Sequence, residues 1–350
     1  MFQDIQLDDL LEQQKNGHTL VDVRSPGEFA ESTIPGSINI PVFDDEERAE
    51  VGTLYKQAGQ KAAKERGLEI FSAKLPQFIA EFKKISTPMS VFCWRGGMRS
   101  KTAATVLDLM GIHANRLSGG IRSYRQWVVS ELEKGEFPPE LIVLNGYTGS
   151  GKTVLLKKLA AEGFPIMDWE GMAGHRGSIF GQIGLNPSKQ KKFDSSLVQA
   201  MMCFKNSPYV FVEGESKRIG KVTMPDFMYQ KKENGLQIFI DIPVGERIKN
   251  ILNDYQPWKD PEQFLEAFQR IKRRIHVPVA KQIEADLMEK KYESAILLLL
   301  TYYYDPRYEY GISQYADSQK LTIHAADNDD AFNQLYALAK KHLSDSVKFN

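Results

Sequence analysis

The stretch Val91-Phe92-Cys93-Trp94-Arg95-Gly96-Gly97-Met98-Arg99-Ser100 delivers one cysteine from a short apolar run into a loop of two glycines and two arginines. Glycines let consecutive backbone N–H groups turn inward, and arginines add fixed positive charge, so the loop is shaped to hold a tetrahedral anion over the sulfur. Positive charge and a helix N-terminus both favour a thiolate, the reactive form of cysteine. The plain alternative is a buried structural cysteine ahead of a tight turn. A helical pattern opens at Ser100, and Ala103, Val106, Leu107 and Met110 recur at i, i+3, i+4 and i+7, predicting one buried helical face closed by Gly111. Cys93 therefore stands between the C-terminal end of a strand and a helix N-terminus, the place where α/β sheets hold ligands.

Upstream, residues 18–23 predict a strand ending on Asp22 and Arg24. Ser25-Pro26-Gly27-Glu28 predicts a helix start, with Ser as N-cap, Pro first and Glu three residues on. Residues 37–40 predict a second strand after the turn Ile34-Pro35-Gly36. Residues 44–68 are charged and predict a helical insertion before the Cys93 strand. Downstream, residues 131–140 turn charged and then proline-rich and predict a linker.

A second strand–loop–helix signal follows. The run Leu141-Ile142-Val143-Leu144 leads into Asn145-Gly146-Tyr147-Thr148-Gly149-Ser150-Gly151-Lys152-Thr153, which is Gly-x4-Gly-Lys-Thr, the phosphate-binding loop. Its glycines let N–H groups wrap a di- or triphosphate, Lys152 supplies a point charge, and Thr153 suits a Mg²⁺ ion. Further strands are expected over 164–168, 209–213, 237–241 and 321–324, with helical patterns between them, so a mostly parallel sheet follows. Asp168 and Glu213, at strand ends, are candidate Mg²⁺ ligands or bases, with solvated or helix-capping acids as the alternative. No Asn-Lys-x-Asp guanine-specificity motif is present. Residues 245–320 read as helical, and Cys203, on an apolar helix, reads as core.

The bounds fit two soluble domains. The chain has 350 residues, a formal net charge of zero and two cysteines. Such length supports two cores. Two cysteines exclude a disulfide framework and suit a reducing cytoplasm. No signal peptide or membrane-spanning run is apparent. A polyanionic partner would have to meet a local basic face.

Four blocks carry a resemblance. Leu20-Val21-Asp22-Val23-Arg24-Ser25-Pro26-Gly27-Glu28-Phe29, then Ile34-Pro35-Gly36-Ser37-Ile38-Asn39-Ile40-Pro41, then the cysteine loop, then Leu117-Ser118-Gly119-Gly120-Ile121 with Trp127, resemble a rhodanese domain. In that family the loop cysteine carries a persulfide or perselenide. Cys93 and Arg99 are separated by one residue more than in common rhodaneses, as in the Cys-x5-Arg loop of related phosphatases, although Phe92 stands where those enzymes have His. The wider cradle favours a phosphate-sized anion. Gly174-His175-Arg176-Gly177-Ser178 and Glu213-Gly214-Glu215-Ser216 complete the pattern, and the whole chain resembles the tRNA 2-selenouridine synthase family. The expected fold is thus α/β: a rhodanese-like domain over 10–132, a linker over 133–140, and a P-loop NTPase-like, mostly parallel α/β domain over 141–350 with a helical C-terminal part.

The resemblance implies a bacterial transferase acting at the wobble uridine of tRNAs for Lys, Glu and Gln. It would replace the sulfur of 2-thiouridine by selenium from selenophosphate, through an S-geranyl intermediate made with geranyl diphosphate. Cys93 would carry the perselenide, with Arg95, Gly96, Gly97 and Arg99 forming the anion loop. Gly146, Gly149, Ser150, Gly151, Lys152 and Thr153 would hold the diphosphate. His175, Arg176 and Glu215 are candidate substrate-loop residues, and the enzyme that makes selenophosphate is a candidate partner. Candidate tRNA contacts are Lys217 and Arg218, together with Arg270, Arg273 and Arg274 on an amphipathic helix expected over 261–275. Lys189, Lys191 and Lys192 form a further basic run. Tyr302, Tyr303, Tyr304 and Tyr308 read first as core, with base stacking or an isoprenoid pocket as the alternative. Two other readings stay open: a sulfurtransferase fused to a P-loop kinase or NTPase, and a persulfide-carrying tRNA-binding module that serves a partner enzyme.

Overall fold

A computed structural model describes residues 2–312 and 315–346, with the backbone alone for 309–312 and 342–346. The chain divides into two compact units, Met1–Lys134 with Asp194–Val198, and Gly135–Phe193 with Gln199–Asn350.

The first unit is built on a five-stranded, all-parallel sheet of order β1-β5-β4-β2-β3. Its strands are β1 (Asp4–Ile5), β2 (Thr19–Asp22), β3 (Ile38–Asn39), β4 (Met89–Phe92) and β5 (Ala114–Leu117). Helices α1 (Leu7–Lys15), α2 (Pro26–Glu31), α3 (Asp45–Gln57), α4 (Gly59–Phe82), α5 (Met98–Leu109) and α6 (Gly120–Lys134) connect and cover it. Ser25 caps α2 in a capping box with Glu28 and Pro26 in the first turn, as the sequence predicts. Every residue of β4 is buried, and its one polar side chain, Ser90, donates to Gln13 Oε1 at 2.8 Å. Val21, Val91, Ala103, Leu107, Phe78 and Phe82 share one core.

Three expectations need correction here. The helical insertion does not end at 68: α4 continues to Phe82 because Phe71, Phe78, Ile79 and Phe82 are buried against the core. The buried face of α5 ends at Leu107, whereas Met110, the C-cap, is 53 % exposed. The region expected to be a linker from 133 is helical through Lys134, the last residue of α6, and the next strand starts at Glu140.

The second unit carries another five-stranded parallel sheet, of order β12-β11-β6-β8-β7. These strands are β6 (Glu140–Gly146), β7 (Ile166–Met167), β8 (Tyr209–Glu213), β11 (Leu236–Asp241) and β12 (Lys320–His324), and β9 (Arg218–Ile219) and β10 (Val222–Thr223) form a separate antiparallel pair. The strand expected over 164–168 shrinks to two residues. Pro165 has no N–H to give to a ladder, and Asp168 has already become a helix N-cap. Helices α7 (Lys152–Ala161), α8 (Trp169–Ala173), α10 (Asp226–Asn234) and α16 (Asn328–Ser346) belong to this layered part, and α9 (Gln190–Phe204) contains Asp194–Val198 of the first unit. A mainly helical part follows β11, with α11 (Val244–Tyr255), α12 (Pro261–Gln269), α13 (Val277–Met288), α14 (Tyr292–Leu299) and α15 (Asp305–Ile312). It has its own core around Phe264, Phe268, Ile283, Leu299 and Tyr303.

The helix expected over 261–275 stops at Gln269, and Lys272–Arg274 form a 3₁₀ turn. The chain must turn there to enter α13, which has Pro278 in its first turn, and buried Ile271 and Ile275 anchor the turn. Cys203 is exposed, not core. The buried stripe of α9 runs through Phe193, Leu197, Val198 and Met201, and two residues beyond Met201 is about 200° around the helix. No helix among the described residues is long and apolar enough to cross a membrane.

Candidate functional site

Cys93 follows β4 at the C-terminal edge of the first sheet and is 3 % exposed. Its Sγ lies 3.1 Å from Ser100 Oγ in the first turn of α5, and that hydroxyl also reaches Gly97 O at 3.3 Å. A hydroxyl has one proton, so it can serve the carbonyl while sulfur is a thiol and turn to sulfur when a thiolate forms. The loop is held from behind by the Gly119–Gly120 turn: Ile121 N donates to Cys93 O at 2.9 Å and Arg122 N to Trp94 O at 3.1 Å. The backbones approach so closely that a Cβ on Gly120, where φ is +60°, would sit 2.2 Å from Cys93 O. The Leu117–Ile121 block is therefore the physical support of the cysteine loop. Arg116 Nη1 adds a hydrogen bond to Gly96 O at 2.6 Å.

The two loop arginines are placed differently. Arg99 is bound to Glu28 through two contacts, one of them Nη2 to Oε1 at 3.1 Å. Burial would raise the Glu28 carboxyl, but the Arg99 guanidinium, with help from Arg48, holds it below the usual carboxylate range. Arg95 is exposed, and no ion pair engages it among the described residues. Arg95 is thus the arginine ready to meet an anion, while Arg99 is docked on α2. A cavity of about 910 Å³ adjoins the loop, with Cys93, Trp94, Arg95, Gly97, Met98 and Arg99 in its wall.

In the second unit the phosphate loop leaves the C-terminal end of the central strand β6. Gly149 and Gly151 have φ of +82° and +77°, and Gly151 caps α7 in the left-handed region. Side chains at both positions would strike neighbours: a Cβ on Gly149 would lie 2.6 Å from Arg247 O, and one on Gly151 2.4 Å from Asn328 Oδ1. Lys152 Nζ folds over the loop onto Gly146 O at 3.0 Å. Ser150 is buried with an unpartnered Oγ at the same turn.

Helix α11 clamps the loop from outside. Arg247 Nε donates to Thr148 O at 2.9 Å, and its two other nitrogens grip Asp305 at 3.0 and 2.5 Å. Asn250 Nδ2 donates to Gly149 O at 2.8 Å. Neither residue lies in a motif, and nothing local in the sequence announces them.

A group of acids sits beside this loop. Thr153 Oγ1 donates to Glu170 Oε2 at 2.9 Å. Glu170 and Glu215 hydrogen-bond to each other; burial raises both carboxyls, and their mutual repulsion raises Glu215 further. Glu213 is fully buried, accepts from Trp169 N at 3.0 Å through Oε2, and leaves Oε1 without a partner. Burial, then Asp168 and Glu170, push its carboxyl well above the usual range. Asp168 accepts from Gly171 N at 2.6 Å as the N-cap of α8, so the capping reading describes it. Glu170, absent from the candidates read from sequence, is the acid in contact with the phosphate loop.

The remaining candidates fall in four groups. Arg176 is spent on structure: it donates to Ile183 O at 2.9 Å and Asp254 O at 3.2 Å and lies over the Tyr255 ring. His175 packs against Gly181 and Gly220, where a Cβ on either would clash with its ring, and burial lowers its pKa. Lys217 pairs with Asp226, whereas Arg218 is exposed beside Gly220 O. Arg270, Arg273 and Arg274 are all exposed, and among the described residues Lys272 alone in that run is ion-paired, with Glu284 at 2.6 Å. Tyr303 is core and Tyr302 is 54 % exposed, while Tyr308 faces Tyr147 of the phosphate loop at 6.3 Å between ring centres.

A cysteine loop on one parallel sheet and a phosphate loop on another define a two-domain α/β protein of rhodanese-plus-P-loop type. The rhodanese-like domain family matches residues 6–126, and the family described as the tRNA 2-selenouridine synthase AAA domain matches residues 139–340. The chain belongs to the tRNA 2-selenouridine synthase family. It is 36% identical to the tRNA 2-selenouridine synthase of Nitrosomonas europaea, over 72% of this chain and 67% of that one. It is 32% identical to that of Bdellovibrio bacteriovorus, over 83% and 87%, and 31% identical to that of a Sulfurovum species, over 92% and 96%.

Proposed function

We propose that this protein is a tRNA-modifying transferase that converts 2-thiouridine at the wobble position to 2-selenouridine. The observation that carries the reading is the presence in one chain of two different anion loops, one holding a thiol and the other a lysine. A sulfur-to-selenium exchange needs both. Geranyl transfer from geranyl diphosphate makes the 2-sulfur a better leaving group and releases diphosphate. The selenium of selenophosphate then forms the C2–Se bond as the C2–S bond breaks and geranyl thiol departs, and water takes the phosphoryl group from selenium to give phosphate.

Each loop suits one of these steps. Gly146 to Thr153 and the Arg247–Asn250 clamp would keep a diphosphate fixed as it leaves, with Lys152 turning from Gly146 O to the phosphate oxygens. Cys93 would act at the selenium-transfer step, its sulfur held by Ser100 beside the selenophosphate and Arg95 turned toward the phosphate. Thr153 and Glu170 offer hard oxygen donors that fit a Mg²⁺ ion arriving on the diphosphate. Such an ion would neutralise charge on the leaving group. The tRNA substrates would be those for Lys, Glu and Gln, met partly by the unpaired Arg270, Arg273 and Arg274.

The test is nucleoside mass analysis of thiolated tRNA incubated with the purified protein, first with geranyl diphosphate and then with selenophosphate. A geranyl mass followed by a selenium mass is expected. Absence of both defeats the proposal, and ATP consumption without either product would favour a kinase or NTPase.

A further inference from the structure

The cavity beside the Cys93 loop has no role in a simple sulfur or selenium carrier. It measures about 910 Å³ and lies between the α3–α4 pair and the Cys93 loop. That volume is at the upper end of small-molecule sites, about 300–1,000 Å³. A tetrahedral anion on Cys93 needs far less. The exposed large apolar side chains of this region gather on it: Tyr55 at 59 %, Leu68 at 68 %, Trp94 at 43 % and Met98 at 55 %. Exposed apolar groups collected around one concavity mark a binding site rather than ordinary surface. Arg48 and Arg95 stand in the same wall, near the thiol.

This combination suits an amphiphile whose reacting, anionic end lies at the cysteine and whose hydrocarbon end lies along the helices. We infer that the α3–α4 cavity holds the prenyl chain of an S-prenylated wobble nucleotide while Cys93 serves its C2. The chain lies against Tyr55 and Leu68, the base against Trp94 and Met98, and the neighbouring phosphates meet Arg48 and Arg95. The insertion then has a purpose: it makes the first unit a reader of the geranylated form. Selenium delivery is thereby restricted to tRNA already carrying the better leaving group. This assignment rests on the geranylated intermediate proposed above.

The experiment compares full-length protein binding to anticodon stem-loops bearing 2-thiouridine or S-geranyl-2-thiouridine, by fluorescence anisotropy. Wild type should bind the geranylated form at least about tenfold more tightly. The double variant Tyr55→Asp/Leu68→Asp, at two exposed positions where carboxylates are tolerated by the fold, should reduce that ratio to about twofold or less. Leu109→Asp, on an exposed site away from the cavity, should leave the ratio unchanged. A ratio near one in wild type, or a tenfold ratio kept by the double variant, overturns the cavity assignment. Selenium incorporation into the geranylated stem-loop, measured separately by mass, reports on the reaction itself, so the two readings fail by different observations.

Discussion

Gly120→Ala probes how the cysteine loop is supported. The added Cβ would lie 2.2 Å from Cys93 O, 2.6 Å from Gly96 N and 2.9 Å from Arg95 N, all backbone atoms, where ordinary contact begins at 3.4 Å. No side chain can swing away, so the Cys93 loop itself must move by about 1 Å. Alanine at φ +60° adds about 1–2 kcal/mol of left-handed strain. Together these should destabilise the first unit by about 2–4 kcal/mol, and a 1 Å displacement of a reacting group costs about 100-fold in rate. Gly111→Ala is the control: φ there is +72°, but nothing lies within 4 Å of its Cβ. It should lose about 1–2 kcal/mol and little activity. Urea unfolding gives the stabilities, and single-turnover selenation of geranylated RNA gives the rates. Equal losses in the two variants would refute the claim that the Leu117–Ile121 block holds the cysteine loop.

Three further outcomes are expected. Arg247→Ala removes a hydrogen bond to Thr148 O and leaves Asp305 without its guanidinium, so the second unit should lose about 3 kcal/mol in urea unfolding; replacing Asp305 by Leu in the same protein should restore part of it. Burial and the neighbouring Glu170 raise the Glu215 carboxyl to about 8, so the native state binds more protons, and stability falls as pH climbs from about 5 to about 8. This group contributes a slope of up to about 1.4 kcal/mol per pH unit, and thermal melts of Glu215→Gln should show a shallower decline and a gain over wild type at the alkaline end. Reversing Arg270, Arg273 and Arg274 to Glu should weaken tRNA binding and lower its logarithmic salt slope by about 2–3; unchanged affinity at low salt would eliminate that patch.

The two anion loops were legible because each is built from consecutive residues, and close backbone approach to an anion leaves little choice but glycine. The Gly119–Gly120 block could be recognised from sequence, but its reason could not. Its contact with Cys93 O crosses from one helix start to another loop. The phosphate-loop clamp was invisible for a related cause: Arg247 meets Thr148 across 99 residues and Asn250 meets Gly149 across 101, and an Arg and an Asn on an amphipathic helix look like ordinary surface. Arg99 read as an anion ligand because its partner Glu28 had a sufficient local role as a capping residue. Cys203 failed on phase: its neighbours are apolar, but it lies off the buried stripe. The insertion was legible as helix but not as a wall, since a cavity depends on what two helices leave unfilled.

The proposed reaction divides the labour between Cys93 and Lys152 on one nucleoside. Its most direct measurement is the wobble-nucleoside mass from thiolated tRNA treated with geranyl diphosphate and selenophosphate by Cys93→Ala and Lys152→Ala proteins. Cys93→Ala should stop at the geranylated nucleoside, and Lys152→Ala should form little of it, yet selenate tRNA geranylated beforehand. Loss of both masses to the same extent in both variants would contradict it.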